Sequence, residues 1–205
     1  MQGGEFTDML ARYRAGDEGA QSRLVALIHG DLRRLARRHL SGNRWIATLD
    51  TTALVNESYL RLVSPSAQHV ETRAHFLNLA SRVMRQIVVD YARVRLRDRK
   101  RFERVEDVDP DRLRAELVQA RQFVALDDAL ADLARIDERK ARVVDCRFFG
   151  GLSEDETAQA LGIGLRTVQR EWNEARAWLA EHMRDDEEDD EETWATSRSS
   201  SPAAH

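Results

Sequence analysis

Arg166, Thr167, Gln169, Arg170 and Asn173 fall on one side of a helical stretch whose other side carries Leu165, Val168, Trp172, Ala175 and Leu179 at spacings of three and four. Arginine reaches guanine edges or phosphates and glutamine reaches adenine, each good bidentate pair discriminating between bases by about 1–3 kcal/mol. The chemistry on offer is that of reading a DNA groove. A second set lies upstream, where Arg82, Arg85, Arg93, Arg95, Arg97, Arg99, Lys100 and Arg101 stand against Asp90 and Asp98 alone, a local charge of +6. Solvated helical faces usually mix signs at four-residue spacing. This one is nearly all arginine, which suits a polyanion. No Gly-rich phosphate loop and no Ser/His/Asp grouping accompanies these sets, and the six histidines are scattered without metal-ligand spacing. The expectation is a binding protein rather than an enzyme, with no metal, cofactor or small-molecule substrate. Asp127-Asp128 and Glu154-Asp155-Glu156 read as solvated surface acids.

Elements must hold those side chains in place. Ser153 with Glu156 three residues later is a capping box that starts a short helix, and Gly162 ends it where the chain turns left-handed. The pair with the following helix is a helix-turn-helix. The same layout occurs in αα-hairpins that bind nothing, so the rest of the chain decides. Phe6, Met9, Leu10 and Tyr13 mark a first helix, and Leu24 to Leu40 a second, stopped by Ser41-Gly42-Asn43. A third runs from about Thr51 to Val63 with Leu54, Val55, Tyr59 and Leu62 inward, and Ser64-Pro65-Ser66 ends it. A fourth runs from about Arg73 to Arg101, its apolar residues giving out before the last arginines. The expected fold is all-α, with two small helical domains joined by a linker. The four-helix domain covers 1–101, the linker 102–124, partly helical after Pro110, and the helix-turn-helix domain 125–183.

Composition sets the bounds. With 42% hydrophobic and 33% charged residues, only three prolines and abundant Ala, Leu, Arg and Glu, the 205 residues suit a soluble helical protein. The single Cys146 excludes a disulfide within the chain and reads as a small buried residue. No apolar run approaches the ~20 residues of a membrane helix, and the first residues carry no targeting signal, so a cytoplasmic location is expected. The net charge of −4 conceals segregation: residues 184–205 carry eight acids against two arginines, leaving +2 on the remainder. That acidic, Ser/Thr-rich tail is expected to be disordered.

Three runs, in order, resemble the extracytoplasmic-function (ECF) sigma factors, specificity subunits of bacterial RNA polymerase. The first is Asp50-Thr51-Thr52-Ala53-Leu54-Val55-Asn56-Glu57-Ser58-Tyr59-Leu60-Arg61-Leu62, similar to the helix that docks on the polymerase clamp. The second, Phe76-Leu77-Asn78-Leu79-Ala80-Ser81-Arg82 continuing through Asp90, Tyr91 and Arg93, is similar to the helix that melts the −10 element. The third, Gly150 through Leu179, resembles the −35 reader. The resemblance implies contact between Asp50, Thr51, Thr52, Asn56 and Glu57 and the clamp of the largest subunit of core RNA polymerase. It implies promoter DNA at His75, Asn78, Arg82, Arg85, Arg93 and Arg97 for the −10 element, and at Arg166, Thr167, Gln169, Arg170 and Asn173 for the −35 element. Departures from the family pattern are equally specific. Thr51 and Thr52 stand where acids are usual, Asn56 where glutamine is usual, Thr157 at an aliphatic core position and Gly164 at a serine cap. Members lacking the acidic pair are often partnered with Ser/Thr kinases, which makes Thr51 and Thr52 candidate phosphorylation sites. The plainer reading is that Asp50 or Thr51 simply caps the helix. The competing function is a helix-turn-helix regulator that is not a polymerase subunit; it leaves the arginine row and the Leu54–Leu62 run without a role.

Overall fold

The computed structural model describes residues 2–41, 49–62, 70–98 and 109–199, and these are all helix and connecting turn, with no strand. Helix α1 spans Gln2–Arg14, α2 Glu18–Leu40, α3 Thr51–Leu62 and α4 Arg73–Arg97; α5 spans Pro110–Ile136, α6 Glu138–Val144, α7 Glu154–Leu161 and α8 Leu165–Ser199. A π-helical turn, Asp145–Phe149, continues α6.

Local chemistry explains most boundaries. Asp17 caps α2 by accepting from the backbone N–H groups of Gly19 at 2.8 Å and Ala20 at 3.1 Å, and Thr72 caps α4 by accepting from His75 N–H at 3.1 Å. Asp109 caps α5, with Pro110 at the first helical position, where its missing N–H costs nothing. In α3 the buried stripe is Leu54, Val55, Ser58 and Leu62. Tyr59, expected inward, is half exposed, because a helix that buries 54, 58 and 62 must turn 59 away. The Ser58 hydroxyl is accommodated by donating to the Leu54 carbonyl at 2.6 Å.

Two findings revise the expected organisation. From Pro110 the expected linker is the first part of a 27-residue helix that crosses the 125 boundary unbroken, because Leu113, Leu117 and Ala120 recur at helical spacing and are buried. Residues 99–108, which include Arg99, Lys100 and Arg101, lie outside the described residues. The tail, expected to be disordered, has helical backbone as far as Ser199. Extending a helix already nucleated adds a hydrogen bond per residue without a new nucleation cost, and Glu and Ala are good helix formers. Residues 200–205 fall outside the description.

The core does not respect the two halves. One cluster joins Phe6, Leu32, Leu54, Met84, Ile87 and Val88 of the first four helices to Ala120 of α5, Cys146 of the π turn and Leu152. A second gathers Leu130, Leu133, Val144, Phe149, Ala175 and Leu179 under the helix-turn-helix. Phe149 also stacks on His39 of α2, ring centroids 5.7 Å apart. The halves therefore pack against each other along α4 and the π turn.

Candidate nucleic-acid interface

Three stretches carry the predicted site residues. At the start of α3, Asp50 is the cap, its carboxylate accepting from Ala53 N–H at 2.7 Å. No acid follows in the first turn. Thr52 and Asn56 are exposed and Thr51 is partly so, while Glu57 pairs with Arg61 at 2.9 Å on the same face. Leu60 stands 75% exposed beside half-exposed Tyr59, leaving an apolar strip next to the polar one.

Along α4 the predicted DNA-binding residues divide. His75, Arg82 and Arg97 are exposed. Asn78 is buried, and its side-chain oxygen has no hydrogen-bond partner. The Arg85 side chain, 15% exposed, reaches Asp127 at 2.6 Å and Asp145 at 3.2 Å and lies over the Phe149 ring, 5.1 Å from its centroid. Arg93 pairs with Asp128 at 2.9 Å and Asp127 at 3.6 Å; Arg82 approaches Asp145 at 3.6 Å. The structure thus does not bring the six onto one open surface. Asp128 is exposed, as its reading as a solvated acid expected, and pairs with Arg93, whereas Asp127, read the same way, lies mostly buried between Arg85 and Arg93, and burial pushes its carboxyl pKa up despite them. Asp145 shifts the same way for the same reason, with Arg85 and Arg82 offsetting in part. No local signal announced these pairs, which join residues far apart in the chain.

The helix-turn-helix follows its expected construction. Ser153 and Glu156 form the reciprocal capping box, with bonds of 3.1 and 2.8 Å. Gly162 takes φ +64°, a conformation in which a Cβ would be strained. Val168 and Ala175 are fully buried, whereas Leu165, expected inward, is 41% exposed, as befits the first residue of a helix that begins at the turn. Arg166, Gln169, Arg170 and Asn173 are exposed and Thr167 partly so, so the predicted reading residues share an open face. Gln169 donates to Glu154 at 2.7 Å, and Arg170 lies 3.6–3.8 Å from Glu171 and Glu174. Glu171, which sequence reasoning passed over, is buried in the same helix and held by Arg139 at 2.5 Å. Thr157 is buried with its hydroxyl unbonded, in keeping with the misfit its position suggested.

Among the described residues no His, Cys, Asp or Glu group could hold a metal ion, and no helix is long and apolar enough to cross a membrane. Cys146 is buried, its thiol pKa pushed up to about 12 mainly by desolvation. The family model described as ECF sigma factor matches residues 3–185. Searches of curated proteins and of solved structures found no match.

Proposed function

The chain belongs to the ECF sigma factor family, and from that premise we propose how its residues divide the work of a sigma subunit. Helix α3 docks on the clamp of core RNA polymerase through Asp50, Thr51, Thr52, Asn56 and Glu57, with Leu60 and Tyr59 as the apolar part of the contact. His75, Asn78, Arg82, Arg85, Arg93 and Arg97 of α4 engage the −10 element. Phosphate contacts there supply affinity without reading sequence, and the polar groups near the helix start hold an unstacked base. Arg166, Thr167, Gln169, Arg170 and Asn173 read the −35 element in the major groove. The observation that carries this reading is the open polar face of α8, presented by a capped helix and a glycine turn. Family membership leaves the free-standing regulator without support of its own. Run-off transcription from a two-element promoter with purified core polymerase tests the proposal. Product together with co-elution is the expected result, and the absence of both overturns it.

Regulation by a Ser/Thr kinase at Thr51 or Thr52 is the finer part of the proposal. Asp50 already supplies the cap, which leaves the two threonine hydroxyls without that duty, and the first turn lacks acidic charge. A phosphothreonine would add about −1.5 to −2 charges at the positive end of the helix dipole. Its oxygens form multidentate, charge-assisted bonds with arginines that a hydroxyl cannot. Phosphorylated protein is expected to bind core polymerase more tightly than unphosphorylated protein, and Thr51→Ala with Thr52→Ala to abolish the difference. Equal affinity in the two states would remove the kinase from the scheme.

A further inference from the structure

Four arginines of α4 already have acidic partners. Arg85, Arg93 and Arg82 make the pairs described above, and Arg95 adds a fourth with Glu116 at 2.7 Å. Every acceptor comes from α5 (Glu116, Asp127, Asp128) or from the π turn (Asp145). The pairing runs in opposite directions along the two helices, with Arg85 and Arg93 on Asp127 and Asp128 and Arg95 on Glu116, nearer the start of α5. Guanidinium groups recognise carboxylate and phosphate with the same fork of donors, so these acids stand where phosphates would.

The seam carries burial costs that its pairs only partly offset. Asp127 and Asp145 give up hydration on burial, a loss that apolar residues of similar size would not suffer. Arg85 Nε and the Asn78 side-chain oxygen are buried without hydrogen bonds, and such atoms are few in well-packed interiors. Both residues belong to the set assigned to promoter contact.

We infer that the carboxylates of α5 and the π turn are an intramolecular phosphate mimic, which clasps the α4 arginines in the free chain and must be displaced by nucleic-acid phosphates before α4 can bind promoter DNA. The inference rests on the reading of α4 as a DNA-binding face. A competent state populated only in part weakens apparent affinity by that fraction, so releasing the clasp tightens binding without any new contact.

The test uses the full chain with Asp127→Asn, Asp128→Asn and Asp145→Asn together, a fluorescein-labelled oligonucleotide of random sequence, single-stranded or duplex, at low salt, and small-angle scattering of the free protein. Neutralising the acids leaves Arg85 buried without its counter-charge, which favours opening. The expected result is about tenfold tighter binding with a larger radius of gyration, and loss of the gain when Arg82, Arg85 and Arg93 are also changed to Ala. A charge-matched control, Glu5→Gln with Asp155→Asn and Glu181→Gln, removes three exposed acids away from the cavity between α4, α5 and the π turn and should gain little. Asp128→Asn alone, at an exposed position, carries a smaller gain and serves where the triple variant fails to fold. Expansion without tighter binding would overturn the reading of α4 together with the clasp. Neither expansion nor tighter binding would overturn the clasp and leave the reading of α4 standing. A gain that the control shares, that comes without expansion, or that survives loss of the three arginines is a bulk-charge effect and would also overturn the clasp.

Discussion

Acidification from pH 7 to pH 5 should weaken the folded chain through one side chain, His39. It is buried where α2, α4 and the π turn meet, with its Nε2 3.1 Å from the Ser81 hydroxyl and its ring on Phe149. Desolvation lowers its pKa to about 4 from 6.5, and the nearby positive charges of Arg85 and Arg38 push the same way. The folded state therefore holds His39 neutral through a range in which the unfolded chain binds a proton. For a group whose folded pKa is depressed in this way, stability is intact above pH 6.5 and falls as the pH drops toward 4. Linkage across that window gives a loss of about 2 kcal/mol between pH 7 and pH 5. Asp127 and Asp145 have raised pKa values, so acid relieves part of their burial cost and opposes the loss. Comparison with His39→Gln, which can still bond Ser81 but does not titrate, isolates the histidine. Urea unfolding at the two pH values should show the parent losing about 2 kcal/mol more than the variant. Equal losses in parent and variant would refute the argument.

The remaining predictions are shorter. Arg166→Ala or Arg170→Ala should lower transcription from promoters that depend on the upstream element by about ten- to a hundredfold while leaving co-elution with core polymerase unchanged; parental activity would mean that the reading face is misassigned. Thr157→Val removes a buried hydroxyl that has no hydrogen bond and keeps the side-chain shape, so chemical denaturation should show a gain of about 1 kcal/mol, and a loss would count against the misfit. Deleting residues 184–205, which hold eight acids against two arginines, should raise nonspecific DNA affinity about threefold or more in low salt and much less in high salt. Unchanged affinity at both salt levels would make the tail a solubilising segment only.

Signals that act within one helical turn were legible in the sequence. The Ser153–Glu156 box, the Gly162 turn and the outward set from Arg166 to Asn173 all stand where residue spacing puts them, because caps and stripes depend on neighbours three or four positions away. At Tyr59 and Leu165 the residue type suggested burial, and the helix azimuth and the helix start decided otherwise. The fate of Arg85 and Asn78 was not legible. Arg85 and Asp127 are 42 positions apart, and nothing local to either states that α4 and α5 will lie side by side. Composition likewise suggested disorder beyond Met183, yet helix propagation from α8 is a property of the preceding turns rather than of the acidic residues themselves.

The π turn at Asp145–Phe149 sets a phase. Its wide bonds, such as Gly150 N–H to the Asp145 carbonyl at 2.8 Å, accommodate one more residue than an α-turn would. That extra residue lets Asp145 reach α4 while Phe149 still meets His39. Deleting one residue here would leave the helices on either side with their own caps and stripes, but would turn everything downstream by about 100° and draw it in by about 1.5 Å. Asp145 on one side of the turn and the exposed polar face of α8 on the other would then fall out of step. Small insertions or deletions in this five-residue segment should therefore be poorly tolerated even where every side-chain type is kept, and the spacing across it is heritable information in its own right.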